Sequence, residues 1–137
     1  MDNNKIKKHD NHKILLAGDV QCGLFGISED YLEDYLSLDE LLIKDQEASY
    51  FLKAKGSSMA PLIQENDILL VDRSQTIKSN HIVVLSLHGE MICKRFIRRP
   101  PHVFLYSENK KNKAILVTEE MEMVVFGKVS AIVRVLP

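Results

Sequence analysis

Residues 81–98 read HIVVLSLHGEMICKRFIR, and this stretch decides the fold. Ile82 to Leu87 is a short apolar run rich in β-branched residues, His88-Gly89 is a turn signal, and a two-residue period follows from Glu90. That period puts Ile92, Lys94 and Phe96 on one face and Arg95 on the other. The reading is strand, turn, strand. Outward from it, further strands are predicted near 50–55, 67–72, 102–106, 114–117 and 123–135, with turn signals such as Pro100-Pro101 between them. Seven short strands at this spacing predict a mainly β fold, a curled β-sheet or partial barrel.

The front of the chain differs. From Ser28 the period becomes helical, with Tyr31, Leu32, Tyr35 and Leu36 on one face and Glu29 and Asp30 near the positive helix start. Ser37 and Glu40 then stand at capping-box spacing, with Leu38, Leu41 and Leu42 as an apolar face. Two short N-terminal helices are therefore expected. Residues 1–13 contain only Met1 and Ile6 as apolar side chains, too little to offset ordering entropy. Gly18, Gly23 and Gly26 make 18–27 a connector. The expected division is a flexible N-terminal arm, 1–27, and a folded domain, 28–137.

With 137 residues, 45% hydrophobic and 27% charged, the chain is of ordinary single-domain size and composition. Its net charge of −1 supplies no global field for a polyanion. Two cysteines, Cys22 and Cys93, are too few for a disulfide framework and lack metal-site spacing. His9 and His12 flank Asp10 in the polar tail and are read as solvated, not as ligands. The start has no signal-peptide pattern, and the Ile82–Leu87 run is far short of the ~20 residues of a membrane helix. A soluble intracellular chain with reduced thiols, no metal and no cofactor is expected. Lys110-Lys111-Asn112-Lys113 reads as a solvated loop.

The candidate nucleophiles are Ser57 and Ser58, within Gly56-Ser57-Ser58-Met59. Glycine admits a sharp bend after a strand, presenting a hydroxyl beside backbone amides that would serve as an oxyanion hole. The plain alternative is a strand followed by a polar turn. A serine needs a base. No histidine–aspartate pair stands out, and His81, His88 and His102 fall at strand ends or turns. Lys94, between Ile92 and Phe96 on one face, is the other option: burial disfavours its ammonium and makes it a general base. The plain alternative there is a lysine on an edge strand whose amine reaches water.

Gly56-Ser57-Ser58-Met59, Asp67-Ile68-Leu69-Leu70-Val71-Asp72 and Gly89-Glu90-Met91-Ile92-Cys93-Lys94, in this order, closely resemble the LexA/UmuD group of self-cleaving Ser/Lys peptidases. The resemblance implies Ser58, rather than Ser57, as nucleophile and Lys94 as base. Within the group the front of the chain is most similar to the UmuD branch: Val20-Gln21-Cys22-Gly23 resembles its Cys-Gly cleavage site, and Leu38–Leu52 has its pattern. The segment 60–66 is one residue shorter and poorer in glycine than the family pattern, and Asn80-His81 stands where Gly-Asp is usual. The resemblance implies an SOS mutagenesis protein of the bacterial cytoplasm, a homodimer. It also implies cleavage stimulated by the RecA–single-stranded DNA filament and a UmuC-type translesion polymerase as partner of the shortened form. Cys93 is read as a structural thiol. At ~3.3 Å per residue the chain between Cys22 and Ser58 has ample reach, leaving cutting within one chain or between two both open. About 25 residues before the first helix leave no room for a helix-turn-helix domain, and the absent membrane span counts against a signal peptidase. The rival from another class is a non-catalytic interaction module of the same fold.

Overall fold

The computed structural model describes residues 13–22 and 34–137. The chain divides into two compact units, Met1–Lys44 and Asp45–Pro137; the expected division at 27/28 lies outside the described residues. In the first unit β1 (Lys13–Leu16) pairs antiparallel with β2 (Asp34–Ser37), placing Ile14 opposite Leu36 and Leu15 opposite Tyr35. Asp34–Ser37 thus corrects the helix expected to include Tyr35 and Leu36. Four residues are too few to separate a helical from a two-residue period, and cross-strand pairing of these apolar side chains prevails over helical spacing. The second start signal holds. α1 (Leu38–Leu42) begins at Ser37, whose Oγ accepts from the Glu40 amide at 3.4 Å, with Asp39 and Glu40 in its first turn. Residues 28–33 and the tail histidines His9 and His12 lie outside the described residues.

In the second unit, after a 3₁₀ turn (Gln46–Ala48) capped by Asp45, come β3 (Ser49–Lys53), β4 (Ile68–Asp72), β5 (Ile82–Leu87), β6 (Glu90–Arg99), β7 (His102–Tyr106), β8 (Ile115–Leu116) and β9 (Met123–Val133). They form one antiparallel sheet in the order β3-β4-β9-β5-β6-β7-β8. The sheet is open, with β3 and β8 as its edges, and each predicted strand has its counterpart. His88 (φ 51°) and Gly89 (φ 84°) form the two-residue β5–β6 turn, both in the left-handed region that matches strand twist.

Curling originates in β9. Its pairing shifts once against β4, between Leu70 and Val71, and once against β5, between Val84 and Leu85. Each shift leaves an extra residue, Ser130 and Phe126, and such bulges bend and twist a strand. Side chains bond at both bulges: Ser130 Oγ donates to the Leu70 carbonyl at 3.3 Å, and the Phe126 carbonyl accepts from Arg73 Nε at 2.9 Å. The Arg73 guanidinium also lies 4.5 Å from the Phe126 ring centre. Beside this bulge a Cβ on Gly127 would lie 2.8 Å from Val71 Cγ1, so only glycine lets β9 approach β4 here.

Two apolar clusters result. Met59, Ile63, Leu69, Val71 and Val84 form one, with Cys93 packed against it; Val83, Leu85, Phe96 and Leu105 form the other, with Ile92 packed against it. At the sheet margin, buried Asp67 accepts from Arg134 Nε at 2.7 Å and Nη2 at 2.6 Å and from the Gln64 amide at 2.7 Å. The Arg134 guanidinium first, then the amide, holds the Asp67 carboxyl down at about 2. Among the described residues no helix is long and apolar enough to cross a membrane.

Candidate active site

After β3 the chain reaches Gly56 at φ 81°. A Cβ there would meet nothing within 4 Å, so the glycine is needed for its backbone angle and not for space. The bend throws Ser57 outward, where it is exposed, and leaves Ser58 half-buried. Met59 and Ile63, each 4% exposed, anchor the turn in the first cluster. Two short bonds close it locally, Ala60 amide to Ser57 carbonyl at 3.1 Å and Ile63 amide to Met59 carbonyl at 2.9 Å.

At the two places where the sequence departs from the family pattern, asparagines take left-handed angles. Asn66 (φ 75°) and Asn80 (φ 78°) occupy the region in which glycine is commonest, and asparagine is among the residues that enter it most readily. Asn66 donates its amide to the Ala54 carbonyl at 2.8 Å, and Asn80 to the Phe96 carbonyl at 2.7 Å.

Lys94 sits in the middle of β6, opposite Val83 of β5. It is 9% exposed, and Phe96 two residues on is 5% exposed, as the two-residue period predicts. Burial pushes the Lys94 amine below its usual range, with the Cys93 thiol opposing in part. Cys93 faces the first cluster, and burial drives its thiol up to about 12, so it is a packed, protonated side chain. Ser58 and Lys94 line one cleft of about 320 Å³ between the 52–59 segment and β6. Its walls mix apolar side chains, Leu52, Ala54, Met59 and Ile92 among them, with polar surface to which Lys53 and Lys55 contribute.

None of the three candidate histidines lines this cleft. His81 Nδ1 accepts from the Lys78 amide at 3.1 Å, and burial, then the charges of Lys128 and Lys78, hold its pKa below the usual value. Cys22 is exposed, with a free thiol; Gly23 lies outside the described residues. Lys110, Lys111, Asn112 and Lys113 are exposed, as expected of a solvated run. Among the described residues no group of three potential metal ligands occurs.

Ser107 carries no local signal in the sequence. Lys94 Nζ donates to its Oγ at 2.7 Å, and this is the hydrogen bond that the lysine makes, not one to Ser58. The reason is register. Arg95 pairs with Tyr106, so one step further Lys94 faces Ser107, just past the end of β7. In sequence Ser107 only opens a polar stretch, and nothing but the pairing of β6 with β7 distinguishes it.

The chain has clear relatives among known proteins. Over 121 residues the chain is 35% identical to LexA repressor 2 of Geobacter sulfurreducens, covering 87% of this chain and 59% of that protein. It is 30% identical over 131 residues to the LexA repressors of Thermotoga petrophila and Thermotoga maritima, covering 95% of this chain and 66% of each. The chain thus spans between 59% and 66% of the length of these curated relatives. The Peptidase S24-like family model matches residues 14–130. With this match over most of its length, and a mainly β fold, the chain belongs to the S24-like peptidase family.

Proposed function

We propose that this protein is a self-cleaving serine peptidase that cuts between Cys22 and Gly23, with Ser58 as nucleophile and Lys94 as general base. The observation that carries the reading is one cleft lined by both Ser58, on its glycine-made bend, and the buried residue Lys94. Desolvation keeps a fraction of Lys94 neutral, the form able to take a proton.

The reaction divides into two steps. Lys94 Nζ accepts the Ser58 hydroxyl proton as Oγ bonds to the Cys22 carbonyl carbon, backbone amides of the turn holding the oxyanion. The Cys22–Gly23 C–N bond breaks, and the Gly23 nitrogen leaves with the proton from Lys94. Water then attacks the Ser58 ester, giving one proton to Lys94, which returns it to Ser58 Oγ. The products are a new carboxylate at Cys22 and a new amine at Gly23. In this reading 1–27 is the arm that carries the cut and 28–137 the body that performs it, with Gly23 imposing no Cβ on the scissile segment.

The finer assignment is an SOS mutagenesis protein of the UmuD kind. It would act as a bacterial cytoplasmic homodimer, stimulated by the RecA–single-stranded DNA filament, its shortened form serving a UmuC-type translesion polymerase. The Cys-Gly site and the Leu38–Leu52 pattern support it. The names of the LexA relatives favour a second reading, a transcriptional regulator inactivated by the same cut.

Mass spectrometry of the full chain, incubated at neutral and alkaline pH with and without activated RecA filament, tests the chemistry. A fragment starting at Gly23 is expected, absent in Ser58→Ala and present in Ser57→Ala. A different new N-terminus, or cutting by Ser58→Ala, overturns the assignment. Capture of a translesion polymerase by the fragment, against operator binding by the uncut chain, separates the two biological readings.

A further inference from the structure

The segment Ser107-Glu108-Asn109 touches both halves of the proposed dyad. Ser107 Oγ accepts from Lys94 Nζ at 2.7 Å. The Glu108 amide lies 3.4 Å from Met59 Sδ. Asn109 donates its backbone amide to the Ser58 carbonyl at 2.9 Å and its side-chain amide to the Ser57 carbonyl at 3.1 Å. Three consecutive residues thus bind the lysine and the bend carrying the serine, which are far apart in sequence.

We propose that Ser107 is a positioning residue for the base, and that the Ser107–Asn109 segment is the strap that sets Lys94 and Ser58 relative to each other. The inference rests on the self-cleavage reading and names a residue that reading does not use.

The chemistry follows from the amine itself. A neutral lysine nitrogen has two N–H donors and one lone pair, and only the lone pair can accept the serine proton. A free amine rotates about Cε–Nζ and presents the lone pair in any direction. With one N–H held by Ser107 Oγ, the lone pair is confined to the directions that remain. Once Nζ has taken the proton, the same oxygen accepts from the ammonium, so Ser107 serves both states. No carboxylate competes for the amine from this segment, because Glu108 is engaged by Arg95 Nε at 2.6 Å. The other charged or titratable groups around the amine are the Cys93 thiol on its own strand and Lys53 and Lys55 across the cleft.

The test compares the full chain with Ser107→Ala, and Ser107→Thr with Ser107→Val, a matched pair differing in the hydroxyl. Rates of self-cleavage are followed against pH. Ser107→Ala should lower the plateau about 10- to 100-fold, the range expected for a misplaced reacting group. It should also move the rising limb to lower pH, because an acceptor that favours the ammonium has gone. Ser107→Thr should restore most of the rate, and Ser107→Val should not. A purely structural role would lower melting temperature and leave the limb in place. The second readout needs no cleavage: the Lys94 Cε resonance is titrated in Ser58→Ala and in Ser58→Ala with Ser107→Ala. A lower midpoint in the double variant supports the proposal; coincident titrations overturn it. If the parent chain never cuts, the proposed function fails and these titrations still decide the role of Ser107.

Discussion

The proposed nucleophile and the proposed base are held by different physics. Lys94 belongs to a ten-residue strand paired on both sides, to β5 and to β7, so backbone register fixes its place. Ser58 belongs to a bend with no ladder of its own, fixed by a glycine angle, two buried anchors and bonds from Asn109. A strand resists displacement because many bonds must yield together, whereas a bend depends on a few contacts that act singly. Substitutions should therefore disturb Ser58 more readily than Lys94 at equal loss of stability.

The largest effect expected is on cleavage by Lys94→Met, which removes the proposed base and should reduce the rate by about 10³-fold or more. Its melting temperature should nonetheless equal or exceed that of the parent, since an apolar chain replaces a costly buried amine. The sign with pH is fixed by the lowered Lys94 pKa. The protonated form penalises folding below the folded-state pKa, and the penalty is relieved as pH rises towards the unfolded value of about 10.4. The stability advantage of Lys94→Met should therefore shrink with rising pH in chemical denaturation. A marked loss of stability in Lys94→Met would instead make the lysine a structural partner.

Met59→Ala should come next, destabilising by about 2–5 kcal/mol as a buried anchor and cutting more slowly than that loss alone explains. Leu105→Ala, an equally buried change in the other cluster, is the control, with a similar cost and a smaller loss of rate among molecules still folded. Equal loss of rate in the two would remove the distinction between bend and strand. Gly56→Ala should cost about 1–2 kcal/mol through its left-handed angle alone, with no clash to relieve. The smallest effect belongs to Asn66→Gly and Asn80→Gly, within about 0.5 kcal/mol of the parent, because both residues already occupy glycine-like angles. A large loss in either would mean that the asparagine side chain matters beyond its backbone angle.

The strands were legible because alternation and continuous apolar runs repeat in each of them, and Lys94 stood out as a charge inside such a pattern. The interval 34–37 was not, since its apolar spacing suits either period and only pairing with 13–16 decides. Gly56 announced the bend, but the local pattern left Ser57 and Ser58 both open and only the family resemblance favoured Ser58; in the structure the two differ in burial. Ser107 was illegible for a different reason. Its contact with Lys94 depends on which residue of β7 faces which residue of β6, a long-range property that no local pattern encodes. The bulges at Phe126 and Ser130 were hidden in the same way, inside an apolar run read as one uninterrupted strand.

The contrast between the two cysteines has a practical consequence. Cys22 lies open, whereas the Cys93 thiol is packed against the first cluster and held up at about 12. A maleimide dye added near neutrality should therefore tag the native chain at a single place, with no engineering. That place is the last residue before the proposed cut, so the fluorophore would depart on the short peptide and its anisotropy would follow each turnover directly.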